Sequence, residues 1–196
     1  MDNFKNFTKS YLTKLIKSFS DDQLRDMKIL AQELRNIWDK NNTLFICGNG
    51  GSGANAMHIA NDLHYGIGDM LNHKKNGIKV DALTSNTSVI TCLANDLGYE
   101  NIFSNQIEVK ASKDDLLVVL SGSGNSQNVV NALKVANDKG MKTISILGFD
   151  GGMCKELSET SIFFPVQDMQ IAEDTQVIVF NICIKWIVEQ INNQTD

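Results

Sequence analysis

The chain has 196 residues, 42% of them hydrophobic, one proline and a formal net charge of −5. That length suits one well-packed α/β domain and is short for two. The scattered Lys and Arg exclude the basic stripe of a nucleic-acid binder, and no apolar run approaches the ~18–20 residues that span a bilayer. The opening MDNFKNFTKS has neither the apolar core nor the small-residue cleavage site of a signal peptide, so a cytoplasmic location is expected. Cys47, Cys92, Cys154 and Cys183 form no C-x-x-C pair and read as reduced, mostly buried thiols.

In chain order, Phe4, Phe7, Tyr11, Leu15 and Phe19 recur at helical spacing and predict an amphipathic helix over 3–19. Ser20 and Gln23 form a plausible capping box for a second helix with the stripe Leu24, Met27, Leu30, Ala31, Leu34, Ile37 and Trp38. Two such faces exceed what one small sheet needs, so part of this surface is expected to meet another subunit. The chain thus reads as a single domain, 1–196, with 1–41 as a helical oligomerisation segment and 42–196 as an α/β core.

From residue 43 short apolar runs alternate with helical stretches: TLFICG (43–48), IKVDAL (78–83), LLVVL (116–120), TISIL (143–147) and SIFFPV (161–166). This pattern predicts a five-stranded parallel sheet, flavodoxin-like and doubly wound, in the order 2-1-3-4-5. The fully apolar third run suits a strand covered on both faces, and Pro165 suits an edge or strand end. The last helix, roughly 169–192, is apolar around most of its circumference and is expected to be buried on nearly every side in an oligomer core.

Two loops carry the functional signal. The first lies in FICGNGGSGANAMHIAND, where Gly48, Gly50 and Gly53 spell G-x-G-x-x-G; the second is SGSGNSQN (121–128). Strands 1 and 3 are neighbours at the switch point of a 2-1-3-4-5 sheet, so both loops would line one crevice. Glycines allow close approach of backbone to ligand, and each following helix offers free N–H groups to an anion. The hydroxyls of Ser121, Ser123 and Ser126 complete a set suited to phosphate. Nucleotide readings are weaker: Asp81 lies inside the second strand and not at its tip, and no Gly-Lys-Ser/Thr follows either loop. The plain alternative is two glycine-rich turns of an ordinary α/β protein.

Together, CGNGGS, the A-M-H that follows it, ANDLGYENIFSNQI, SGSGNSQNVV and the GFDGG turn resemble the SIS (sugar isomerase) domain family, in particular its branch that isomerises heptose phosphates. The resemblance covers nearly the whole chain. It implies a homotetramer with active sites at subunit interfaces, and a substrate loop on Asn49, Gly50, Gly51 and Ser52. It further implies sugar contacts from Asn95 and Asp96, phosphate contacts from Ser121, Ser123 and Ser126, and a Glu173 placed near the sugar, although Glu173 and Asp174 at the start of the last helix read first as acids that stabilise its N-terminus. The family has Ser-Thr-Ser where this chain has Ser121-Gly122-Ser123, so one hydroxyl is missing beside the phosphate.

The catalytic set departs further. Many family members hold zinc on a histidine and a glutamate four apart, plus a glutamine and a histidine eight apart on the last helix. Here these positions are His58, Asp62, Gln176 and Ile184. Asp62 is the expected base for an enediol isomerisation, with His58, or a water held by Gln176, as the acid. A zinc ion on His58, Asp62 and Gln176 alone would be poorly held, since glutamine is a weak ligand, and no structural zinc is expected. His64 and His73 fall in a segment expected to lie over the crevice as solvated loop residues. Two functions follow. One is an isomerase, converting sedoheptulose 7-phosphate to D-glycero-D-manno-heptose 7-phosphate for heptose biosynthesis. The other is a non-catalytic phosphosugar-binding regulator acting through a partner, which the loss of the last histidine would suit.

Overall fold

The computed structural model describes residues 2–193. Five parallel strands, β1 (Thr43–Gly48), β2 (Lys79–Ala82), β3 (Leu116–Ser121), β4 (Lys142–Leu147) and β5 (Thr160–Phe163), form one sheet in the order β2-β1-β3-β4-β5. This is the expected 2-1-3-4-5 order. The central strand β3 is buried at every position, and the edge strand β5 ends before Pro165, whose missing N–H would break a ladder.

Alternation of side chains along the strands divides the core into two layers. Leu44, Ile46, Leu116, Val118, Leu120, Ile144 and Ile146 face helices α2 (Asp21–Lys40), α3 (Gly50–Asn61) and α9 (Met169–Asn192). Phe45, Cys47, Leu117, Val119 and Leu147 face α6 (Ser104–Lys110) and α7 (Gln127–Asp138). Each large side chain buried this way contributes roughly 1.5–3 kcal/mol before conformational entropy is subtracted. The α2 capping box is present: the Gln23 side-chain oxygen accepts from the Ser20 N–H at 3.0 Å.

The first helix is α1 (Asp2–Lys17), and its own chain buries only part of its apolar stripe. Tyr11, Leu15 and Phe19 pack against the core, but Phe4 and Phe7 are 77% and 67% exposed. Only the C-terminal half of α1 docks, because α2 and α9 already cover that face of the sheet. It is tied there by Tyr11 Oη donating to Asp174 (2.7 Å) and Lys14 Nζ to Asp168 (2.8 Å) at the start of α9. In its own chain helix α9 buries Ile171, Val179, Phe180, Ile184 and Ile187, while Ile182 and Trp186 remain 46% and 37% exposed. Beside them sits Leu24 of α2, half exposed, across a shallow apolar groove.

Helix α3 runs from the carboxyl edge of the sheet back towards its amino edge and ends in a π-helical turn, Asp62–Gly66, before the short α4 (Ile67–Asp69). The cause is local. The Ile78 N–H donates to the Leu63 carbonyl at 2.8 Å, and a Cβ at Gly77 would lie 1.8 Å from the His64 carbonyl oxygen. The incoming chain therefore wedges against the end of the helix and widens its last turn. This corrects the expected place of His64 and His73. They line a cavity with Thr43, Lys79 and Val80 at the starts of β1 and β2, at the opposite end of the sheet from the crevice.

Asp174 holds the Tyr11 phenol at about 12 by accepting its proton in a hydrogen bond. A folded pKa raised above the unfolded value of about 10 stabilises α1 docking below pH 10, and this support is lost as the pH rises through 12. Subtracting the 295 nm titration of Tyr11→Phe from that of the wild type isolates this group. A midpoint near 12 is expected, and one near 10 would mean that α1 is undocked in solution.

Candidate active site

The two glycine-rich loops meet as expected. Gly48 pairs in register with Leu120, so Asn49 and Ser121 leave the sheet side by side. The G-x-G-x-x-G match is explained by packing. A Cβ at Gly48 would lie 2.8 Å from both the Leu120 carbonyl oxygen and the Ser52 Cβ, and one at Gly53 would lie 2.9 Å from the Gly48 carbonyl oxygen. These glycines press α3 onto β1, and only Gly50, at φ +52°, needs the left-handed region.

The N-terminus of α3 already has an anion. The Glu173 carboxylate lies over Gly51, where a Cβ would come within 2.5 Å of it. A carboxylate there is favoured by the helix dipole and would repel a second anion. The loop after β3 has no such tenant. Ser121 Oγ accepts from the Gly124 N–H (3.0 Å) and Ser123 Oγ from the Asn125 N–H (3.3 Å), so each hydroxyl keeps its own proton to donate. Ser126 opens α7 without making a side-chain cap, leaving its hydroxyl beside the free N–H groups of that helix. This arrangement suits a phosphate.

The GFDGG turn of the sequence, which leads into α8 (Gly152–Leu157), braces this loop. The Cys154 N–H donates to the Gly124 carbonyl (3.0 Å) and the Met153 N–H to Asn125 Oδ1 (3.1 Å). Gly124, at φ +68°, packs so closely on the Gly151 carbonyl that a Cβ would sit 1.9 Å from its oxygen. At Gly122 a Cβ would meet the Met169 sulfur at 2.7 Å. The space of the missing side chain is thus occupied by Met169, a residue the sequence reading passed over because it lies 47 positions away in the chain.

Down α3, Gly51, Asn55, His58 and Asp62 share one stripe. Asn55 Nδ2 donates to the Glu173 carbonyl (3.0 Å) and to Gln176 Oε1 (2.9 Å), while Gln176 Nε2 donates to Ser52 Oγ (2.9 Å). Gln176 is 1% exposed, and these bonds satisfy it. Asn55 is a further site residue the sequence reading missed; its i+3 spacing to His58 is the signal that carried it. His58 Nε2 and Asp62 Oδ2 are 3.4 Å apart, with side chains 56% and 29% exposed. Eight residues beyond Gly50, His58 lies about 12 Å down the helix axis. Asn95 and Asp96, near the end of α5 (Thr87–Leu97), hydrogen-bond to each other at 2.6 Å and face solvent. Within one chain the fold does not place them against either loop.

The donor set does not fit zinc. Among the described residues no three His, Cys, Asp or Glu side chains converge. Gln176 gives its amide to Ser52 and Asn55, and Ile184 lies in the apolar core, 2% exposed. A zinc site needs three or four strong donors, and within one chain His58, Asp62 and Gln176 do not supply them. The buried thiols are no nucleophiles either: burial pushes Cys154 and Cys183 up to about 12 and raises Cys47 as well.

The SIS domain profile matches residues 8–148. The chain belongs to the SIS-domain family. It is 38% identical over 167 residues to the phosphoheptose isomerase of Aliarcobacter butzleri, covering 85% of this chain and 84% of that protein. To the phosphoheptose isomerase of Helicobacter pylori strain P12 it is 35% identical over 176 residues, covering 89% and 86%. The solved phosphoheptose isomerase of Francisella tularensis superposes with a TM-score of 0.84 at 22% identity, over 96% of this chain and 97% of that one, and so shares the SIS fold. Among the described residues no helix is long and apolar enough to cross a membrane.

Ser52→Ala would leave the buried Gln176 amide one partner short, at a cost of about 1–3 kcal/mol. Urea unfolding should show this as a lower midpoint at unchanged slope. An unchanged midpoint would show that the Ser52–Gln176 bond contributes nothing net.

Proposed function

We propose that this SIS-domain protein is an aldose–ketose isomerase that converts sedoheptulose 7-phosphate to D-glycero-D-manno-heptose 7-phosphate, as the names of its relatives suggest. The observation that carries the reading is the separation of two kinds of chemistry along one helix. Phosphate-ready donors stand at Ser121, Ser123 and Ser126, in the loop beside Asn49. The acid–base pair His58–Asp62 stands two to three turns down α3 from the adjoining loop. A ketoheptose 7-phosphate has the same layout, with its phosphate at one end of the carbon chain and the reacting C1 and C2 at the other.

In this arrangement the phosphate sits at the loop after β3, because the Glu173 carboxylate beside Gly51 disfavours a second anion at the start of α3. Asn49, Gly50, Gly51 and Ser52 then face the sugar. The Asp62 carboxylate takes the proton from C1 of the ketose, and the enediol is reprotonated at C2. His58 serves the two oxygens as the proton passes between them. Gln176 is buried behind α3 and fixes Ser52 and Asn55.

The reading includes a homotetramer that completes the site at subunit interfaces, in the cytoplasm, with the product feeding cell-surface heptose synthesis. Exposed Phe4, Phe7 and Ile16 on α1, together with Leu24, Ile182 and Trp186, supply apolar surface for such contacts. Helix α5 buries none of its residues in the single chain, as expected of an element that carries Asn95 and Asp96 to a neighbouring subunit. The regulatory reading draws on Ile184, whose buried side chain can neither donate nor accept a proton.

Proton NMR of sedoheptulose 7-phosphate in D2O separates the two. The isomerase reading expects turnover with deuterium at C2 of the product, and a loss of about 100-fold or more in Asp62→Asn. Saturable binding without exchange would assign the protein to the regulatory class.

A further inference from the structure

We infer that Tyr99 and Asn128 are positioning residues that hold the Asn49 amide with one N–H turned to the sugar, an inference that rests on the isomerase reading above. The orientation follows from a backbone donor. The Val129 N–H, shared with the Ser126 carbonyl (3.0 Å), donates to Asn128 Oδ1 at 3.0 Å, and a backbone N–H cannot reverse its polarity. Asn128 Oδ1 therefore accepts, and Asn49 must present Nδ2 to it, at 2.9 Å. The other half of the pair is then fixed as Asn128 Nδ2 donating to Asn49 Oδ1, also at 2.9 Å. Tyr99 Oη completes the set by donating to the same Asn49 oxygen at 2.9 Å. Both lone pairs of Asn49 Oδ1 and one of its amide protons are now engaged, so one N–H remains free.

The consequence is chemical. Asn49 stands between the two loops and can offer a ligand a donor only, which fits a sugar hydroxyl or carbonyl oxygen. The same bonds join three elements: the N-terminus of α3 through Asn49, the buried first turn of α7 through Asn128 (2% exposed), and the 3-10 turn Tyr99–Asn101 that ends α5. Sugar-side and phosphate-side loops are thereby held in one register. Tyr99 is itself 56% exposed, so its hydroxyl can be removed without opening the core.

The test compares wild type, Tyr99→Phe and Asn128→Asp. The readouts are kcat and KM for sedoheptulose 7-phosphate, competition by inorganic phosphate, and the side-chain amide signal of Asn49 in the 15N-labelled protein. Tyr99→Phe removes one neutral hydrogen bond and is expected to lower kcat/KM about three- to tenfold. The Asn49 amide signal should shift, while phosphate competition stays at the wild-type value. Asn128→Asp, which can accept from Val129 and Asn49 but returns no proton, is expected to lose more. An unchanged kcat/KM in Tyr99→Phe would overturn the inference, as would an equal loss of phosphate affinity, which would mark a general loosening of the loop. A wild-type protein that binds the sugar phosphate without turning it over would fail the isomerase reading instead. The sugar-phosphate Kd in the same variants would then decide the inference by the same criterion. A wild type that does not bind the sugar phosphate would end both.

Discussion

The structure depends on the parallel pairing of β1 with β3 and on how closely α3 is allowed to approach it. Gly48 pairs with Leu120, and the absence of side chains at Gly48 and Gly53 lets the helix begin directly over the strand end. A methyl group at either position would meet backbone or Cβ atoms at under 3.0 Å and push α3 away. Because α3 starts there, Ser52 and Asn55 reach Gln176, Asn49 reaches Asn128, and the two loops become one crevice. The same helix then carries His58 and Asp62 away from the phosphate end, so one packing constraint sets the length of the site.

Electrostatics divides the labour between loops that look alike in sequence. Both are glycine- and serine-rich, and both lead into helices whose N-termini attract anions. The chain fills the first of these with its own Glu173, which lies over Gly51, and leaves the second to the ligand. The donor-only character of Asn49 fits the same division: a group whose oxygen is saturated by Tyr99 and Asn128 offers the sugar side one N–H and no acceptor.

The sheet was legible in the sequence because β3 is apolar at every position from Leu116 to Leu120 and each strand is followed by a helical pattern. The pairing of the two loops followed from that order alone. Less legible were features set by contacts distant in sequence. Phe4 and Phe7 of the α1 stripe find no surface in their own chain, and composition does not say which neighbour covers a face. His64 and His73 lie at the opposite end of the sheet from the crevice because α3 runs back towards the amino edge, where the close approach of Gly77 to the π-turn is a contact that periodicity cannot encode. Met169, which fills the space beside Gly122, and Tyr99, which bonds Asn49, carry no motif of their own. Ile184 lies in the apolar core, 2% exposed, where its side chain needs no polar partner.

The central claim is that one ligand spans both loops and the stripe below them. Its most direct test is a titration of the 15N-labelled protein with sedoheptulose 7-phosphate, followed amide by amide. Saturable shifts at residues 122–126 and 49–52, extending to His58 and Asp62, are expected with one common Kd. Inorganic phosphate should move only the first of these groups. Shifts confined to the cavity around His64, His73 and Lys79, or loops that respond with unrelated affinities, would contradict the account.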